Sequence, residues 1–310
     1  MDQHVMTLQF PGQGSQRVGM GKDLCARSPA AAAVFARADE VLGFPLSQLC
    51  FEGPADSLAA TDVSQPAIFV TSVALMEVWR SEGPGKGLEL GATAGLSLGE
   101  YTALWAAGSL AFEDGVRLTR RRGELMQAAA DANPSTMVSI MGLDEGQVKN
   151  ICDAASEAGI ISPANFNCPG QIVVSGTKAA CAQALDMAEA EGGRAVELDV
   201  AGAFHSPLMA GAAQGLEAEL ERIQLAPPGV PVVANVTGEY HGAEAAGIRA
   251  LLVRQLTECT LWQKSMERLL ADGYDAFVEI GPGRVLRGLM KRIDRKASFS
   301  NVNNASSATG

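Results

Sequence analysis

The segment Gly95-Leu96-Ser97-Leu98-Gly99 constrains the fold of this chain more than any other. Ala92-Thr93-Ala94 before it reads as a buried strand, and Glu100 to Ala107 after it as the start of a helix, which makes the pentapeptide a tight turn between the two. Glycines on either side of a serine let the backbone reverse sharply and hold the hydroxyl clear of the fold. The bare pattern also fits a glycine-flanked turn with an idle serine; the strand before it and the helix after it favour a nucleophile. The new helix directs its first amides, that of Leu98 among them, to where an oxyanion would form.

With 310 residues, 47% of them hydrophobic, the chain can bury one large α/β domain, alone or carrying a smaller one. Thr7 to Phe10 reads as a first strand broken by Pro11-Gly12-Gln13-Gly14, and Pro66 as the opening residue of a helix over Ala67 to Trp79. From Met137 the texture changes. Strand (Met137 to Leu143), helix (Glu145 to Glu157), strand (Ile160 to Asn165), strand (Gln171 to Ser175), helix (Ala179 to Glu191) and strand (Ala195 to Val200) follow in turn, the β-α-β-β-α-β order of a ferredoxin-like unit. This predicts a small domain at 135–200 inserted into a discontinuous large domain at 1–134 and 201–300. In the second part Val232 to Asn235 and Ala276 to Ile280 read as strands, and Ile248 to Leu256 and Ser265 to Leu270 as helices. Gly281-Pro282-Gly283 introduces a last helix, and the polar, small residues 301–310 read as a flexible tail.

A serine hydroxyl needs a base, and the chain has three histidines: His4 beside the terminus, His241 in a glycine-rich loop, and His205. His205 stands in Gly202-Ala203-Phe204-His205-Ser206-Pro207, where the chain returns from the small domain to the large one and a cleft is expected. It is the preferred base, with a structural turn histidine as the alternative. No acidic residue to orient it stands out from spacing.

Arg120-Arg121-Arg122 looks like a solvated charge run until it is placed on a helix. With Phe112, Val116, Thr119, Gly123 and Met126 as the buried face, Arg122 projects inward while its two neighbours project away. A guanidinium keeps its charge on burial and wants an anion, either a carboxylate ligand or an internal ion-pair partner.

Several segments then fall into register with one family. Pro11-Gly12-Gln13-Gly14-Ser15-Gln16, Ser97-Leu98-Gly99-Glu100-Tyr101, Arg122-Gly123-Glu124-Leu125-Met126-Gln127, Asn165-Phe166-Asn167-Cys168-Pro169-Gly170-Gln171, Gly202 to Pro207 and Gly281-Pro282-Gly283 are its matching motifs. From Thr7 to about Arg295 the chain resembles the malonyl-CoA:acyl carrier protein transacylases, the stand-alone acyltransferases of type II fatty acid synthesis. The resemblance implies an α/β-hydrolase-like large domain with a ferredoxin-like insertion. It implies Ser97 as nucleophile, His205 as base, and Arg122 as the partner of the malonyl carboxylate. It further implies an oxyanion hole from the backbone amides of Gln13 and Leu98, and a main-chain carbonyl, that of Gln255, in place of the acid that usually orients the histidine. Phe204 matches the aromatic residue associated with malonyl choice in related polyketide acyltransferases. One position departs: the family commonly has histidine before the nucleophile, and here that residue is Leu96.

These readings predict a ping-pong exchange of malonate between coenzyme A and the phosphopantetheine thiol of acyl carrier protein, with no metal or redox cofactor. A formal net charge of -11 argues against a nucleic-acid surface and requires a locally basic face for an acidic carrier protein. Arg284, Arg287, Lys291 and Arg295 recur at helical spacing and offer one, for the carrier protein or the coenzyme's phosphates. The six cysteines are scattered without a Cys-x-x-Cys pair, the start Met1-Asp2-Gln3-His4 lacks signal-peptide character, and no segment is apolar for long enough to span a bilayer. A soluble, monomeric, cytoplasmic enzyme is expected. A serine hydrolase that sends the acyl group to water and a non-catalytic carrier-protein-binding relative are the rival readings.

Overall fold

The computed structural model describes residues 5–310, so His4 lies outside the described residues. The chain is an α/β protein with one parallel and one antiparallel sheet. The parallel sheet comprises β1 (Met6–Phe10), β2 (Leu90–Gly95), β7 (Ala276–Ile280) and β8 (Ser298–Val302) in the order β2-β1-β7-β8. Thr7, Leu8, Gln9 and Phe10 on the inner strand β1 are all buried, as a parallel strand covered on both faces requires. The antiparallel sheet comprises β3 (Ser135–Met141), β4 (Ile161–Cys168), β5 (Gln171–Thr177) and β6 (Arg194–Glu197) in the order β4-β5-β3-β6. Val138 pairs with Val174 and Ile140 with Ile172, and this apolar face packs on the helices Glu145–Ala155 and Lys178–Ala190 to form its own core.

Two backbone hydrogen bonds tie β4 to Thr260 of the large part of the chain. The Thr260 amide donates to the Ala164 carbonyl at 2.8 Å, and the Phe166 amide to the Thr260 carbonyl at 2.9 Å. The face of β3, β4 and β5 carrying Met137, Ser139, Asn165, Gln171 and Val173 thereby becomes one wall of a cleft of about 580 Å³.

Helices Thr61–Ser81 and Phe112–Ala132 run along each other beside the parallel sheet. At Gly123 a methyl group would lie 2.5 Å from the Thr61 carbonyl oxygen, so only glycine lets the second helix lie this close to the start of the first. Arg122 is delivered inward by that contact.

Three expectations need correction. The helix begins at Thr61, and Pro66 is inside it rather than at its start. The missing proline N–H would leave the Asp62 carbonyl without a partner, and Arg120 Nη1 supplies one at 3.0 Å. Residues 232–235 form no strand. Val232 bridges Thr93 and Val233 bridges Tyr240, Pro231 has no N–H to extend the ladder, and Asn235 turns its side chain to the nucleophile loop. The 301–310 tail is folded, not flexible: β8 runs to Val302, and Asn304 and Ser307 form a capping box that starts the helix Ala305–Thr309. Ala305 and Ala308 are fully buried, and the Ala305 amide donates to Asp23 at 2.9 Å.

Candidate active site

Ser97 stands between β2 and the helix Gly99–Ala106 with φ at +51°, and His205 has φ at +58°. They are the only non-glycine residues with positive φ among the described residues. Such a conformation costs on the order of 1–3 kcal/mol at each residue and persists where surrounding contacts over-determine it. For Ser97 those contacts are visible. Its amide donates to Asn235 Oδ1 at 2.6 Å, while Asn235 Nδ2 donates to the Gly95 carbonyl at 2.7 Å. A methyl group on Gly99 would lie 2.1 Å from the Phe10 carbonyl oxygen, so glycine is required where the turn passes the end of β1.

Ser97 Oγ lies 2.8 Å from His205 Nε2, and His205 Nδ1 lies 2.6 Å from the Gln255 carbonyl oxygen. A carbonyl can only accept, so Nδ1 carries the proton and Nε2 presents its lone pair to the serine hydroxyl. His205 is 4% exposed. Burial first, and the Arg122 charge second, hold its pKa down to about 4 against the opposing pull of the Gln255 carbonyl. The ring is therefore a neutral acceptor at neutral pH. Of the other histidines, His241 bonds through Nε2 to Glu100 at 2.7 Å. Burial pushes the thiols of Cys50, Cys152 and Cys259 up to about 12, which leaves them as thiols.

Arg122 is 1% exposed. Its Nη1 donates to Gln65 Oε1 at 2.7 Å, and its Nη2 to Gln255 Oε1 at 2.9 Å and Ser97 Oγ at 3.1 Å. The Tyr101 ring lies 5.4 Å away, and Nε has no partner. No carboxylate among the described residues lies within ion-pair distance of the guanidinium, so of the two sequence readings the internal ion pair is the one the geometry does not provide. A buried cation bonded only to neutral groups, beside a serine hydroxyl, has the chemistry to receive an anionic group.

The Pro11–Gly14 loop closes the other side of the serine. A methyl group on Gly12 would lie 2.5 Å from the Leu96 carbonyl oxygen, a close approach that sets Gln13 into the cleft beside Ser97. Among the described residues neither the Gln13 amide nor the Leu98 amide donates to a protein acceptor, whereas the Ser97 amide is taken by Asn235. Phe204 and Leu96 line the cleft on its apolar side. The helix Val285–Ile293 stands at its rim, with Val285 reaching the cleft. Arg284, Lys291 and Arg295 are exposed and Arg287 half-buried, but Arg295 falls beyond the end of that helix.

Three contributors escaped the sequence reading: Asn235, Gln65 and the side chain of Gln255. The one local signal for Asn235 is a polar residue directly after the apolar run Val232-Val233-Ala234.

A serine on a strand-to-helix turn with a neutral histidine at its oxygen is the arrangement of an α/β protein equipped for serine acyl chemistry, either transfer or hydrolysis. Comparison with known proteins agrees. The chain belongs to the family described as "Acyl transferase domain", whose model matches residues 8–309. It is 43% identical over 289 residues to the malonyl CoA-acyl carrier protein transacylase of Bacillus subtilis, covering 93% of this chain and 90% of that protein. Among solved structures, that of malonyl CoA-acyl carrier protein transacylase from Clostridium perfringens superposes with a TM-score of 0.93 at 37% identity, covering 98% of this chain and 94% of the other. Another, a type II PKS acyl-carrier protein in complex with its malonyl-transacylase, matches with a TM-score of 0.94 at 40% identity over 98% and 97% of the two chains.

Proposed function

We propose that this acyltransferase moves a malonyl group from coenzyme A to the phosphopantetheine thiol of acyl carrier protein, by way of a malonyl ester on Ser97, and so supplies extender units for fatty acid synthesis. The observation that carries the reading is the Arg122 guanidinium, buried, without a carboxylate partner and 3.1 Å from Ser97 Oγ. An acyl chain bearing a free carboxylate satisfies it; a plain acyl chain does not.

In the first half-reaction His205 Nε2 takes the Ser97 proton as Oγ attacks the thioester carbonyl. The amides of Gln13 and Leu98 receive the oxyanion. Collapse breaks the carbon–sulfur bond, and the imidazolium returns the proton to the departing thiolate. In the second half-reaction the same histidine takes the proton of the phosphopantetheine thiol, whose sulfur attacks the ester, and Ser97 Oγ leaves with that proton. Gln255, through its carbonyl, stabilises the imidazolium in both. No metal or redox cofactor enters these steps. Phe204 borders the acyl pocket, where an α-methyl branch would crowd its ring, a discrimination of about 1–3 kcal/mol.

The finer architecture we assign is an α/β-hydrolase-like domain over 1–134 and 201–300 interrupted by a ferredoxin-like domain over 135–200. The strand order β4-β5-β3-β6 with two helices on one face supports the second term. The basic residues Arg284, Arg287 and Lys291, borne by the helix whose Val285 reaches the cleft and by the residue before it, suit an acidic carrier protein, and six free cysteines suit a reducing cytoplasm. We assign a monomer.

The test is intact-mass analysis after mixing with malonyl-CoA, followed by a chase with holo carrier protein or buffer. An adduct discharged by carrier protein and stable in buffer supports transfer. Rapid loss to buffer makes the protein a hydrolase, and no adduct makes it a binding module.

A further inference from the structure

Behind the serine lies a buried polar cluster in which the side chains of Glu100, His241, Asn235 and Gln255 have no part in the steps above. Glu100, three residues after the nucleophile, is 1% exposed. Its Oε1 accepts from His241 Nε2 at 2.7 Å, and its Oε2 from Gln255 Nε2 at 2.5 Å and from the Asn235 amide at 3.3 Å. Gln255 is wholly buried, and its side chain is fully engaged: Nε2 also donates to the Ser97 carbonyl at 2.9 Å, and Oε1 accepts from Arg122 Nη2 at 2.9 Å.

An amide can sit in a site either way round, and its neighbours decide which. An ionised carboxylate only accepts, and a guanidinium only donates. Glu100 on one side and Arg122 on the other therefore permit a single orientation of Gln255; the reverse would set oxygen against carboxylate and N–H against N–H. His241 meets the carboxylate from the far side through Nε2, and its Nδ1 is buried without a partner. Gln255 thus links the Glu100 carboxylate to the Arg122 guanidinium, Nε2 donating to the first and Oε1 accepting from the second. Consistent with this, the Glu100 charge is among the influences that oppose the lowering of the Arg122 pKa by burial.

We propose that Glu100 is a positioning residue for malonyl selection: acting through the Gln255 side chain, it holds the Arg122 guanidinium in place for the substrate carboxylate. This rests on the reading that Arg122 receives that carboxylate.

The experiment is competitive loading from an equimolar mixture of malonyl-CoA and acetyl-CoA, with the two adducts counted by intact mass, which gives the ratio of their kcat/KM values directly. Arg122→Met is the reference. An unchanged ratio in it would bring down the carboxylate reading itself, independently of Glu100. Given a collapsed ratio there, Glu100→Gln, which keeps the shape and removes the charge, is expected to lower the malonyl-to-acetyl ratio about tenfold. Gln255→Met, which retains the backbone carbonyl, should do the same. The double variant should be no lower than Gln255→Met alone, because both act on one path. Losses that multiply in the double variant would overturn the proposal. So would a wild-type ratio in Glu100→Gln with both substrates slowed in parallel, the signature of a merely structural residue. If Glu100→Gln does not fold, Gln255→Met decides, and a wild-type ratio in it overturns the proposal.

Discussion

Under the proposed function, replacing Arg122 with methionine should separate carboxylate recognition from the chemistry at Ser97. The side chain keeps an unbranched apolar stem and loses the guanidinium end, with its five donors and its charge. In the wild-type protein the malonyl carboxylate would take the place of Ser97 Oγ at Nη2 and engage the unpartnered Nε, forming a charge-assisted pair in a buried setting. Removing one partner of such a pair leaves the other desolvated, at a cost of about 3–5 kcal/mol. At about 1.36 kcal/mol per decade, kcat/KM for malonyl-CoA should fall by roughly two to four orders of magnitude. Acetyl-CoA has no carboxylate to strand and should lose far less. Gln65 and Gln255 each lose a donor, worth about 1–3 kcal/mol apiece, so thermal unfolding is measured alongside. The assay is steady-state transfer to holo carrier protein from each thioester. Equal losses for both substrates in a folded variant would refute the assignment of Arg122.

Asn235→Ala removes the acceptor of the Ser97 amide and the donor to Gly95, so the strained turn should relax; about 1–3 kcal/mol of stability, read from the urea midpoint, and much of kcat should go with it. His205 binds a proton near pH 6.5 when unfolded and only near pH 4 when folded, so the unfolded chain carries more protons between these values and stability falls as pH drops through that window. Its contribution is complete above pH 6.5, is lost by about pH 4 and is on the order of 3 kcal/mol; His205→Gln should flatten this part of the stability profile, and an unchanged slope would contradict the buried neutral ring. Reversing Arg287 and Lys291 to glutamate should raise the carrier-protein Michaelis constant several-fold, most strongly at low salt, and an unchanged value would remove that face from docking.

What could be read in the sequence was what local spacing encodes. The turn at Ser97 is bounded by its own glycines, and Arg122 separates from Arg120 and Arg121 by helical period alone. The residues that lock this site come from far along the chain. Asn235 lies 138 residues from Ser97, and Gln255 lies 133 from Arg122, so neither side-chain role has a local pattern. The resemblance supplied the Gln255 carbonyl but not the amide that joins Glu100 to Arg122. Pro66 misled because the carbonyl it leaves free is taken by Arg120, from another helix. The C-terminal residues misled because Asn, Ser and Ala suggest a loose tail, whereas here Asn304 and Ser307 cap a helix and two alanines are small enough to seat it.

The central claim, that Ser97 carries malonate between two thiols, is tested most directly by locating the acyl group. After brief incubation with malonyl-CoA and an acid quench, proteolysis and peptide mass analysis should place a malonyl ester on the peptide holding Gly95-Leu96-Ser97-Leu98-Gly99. It should vanish in Ser97→Ala and on chase with holo carrier protein. Malonate on any other residue, or an undiminished adduct in Ser97→Ala, would contradict the account.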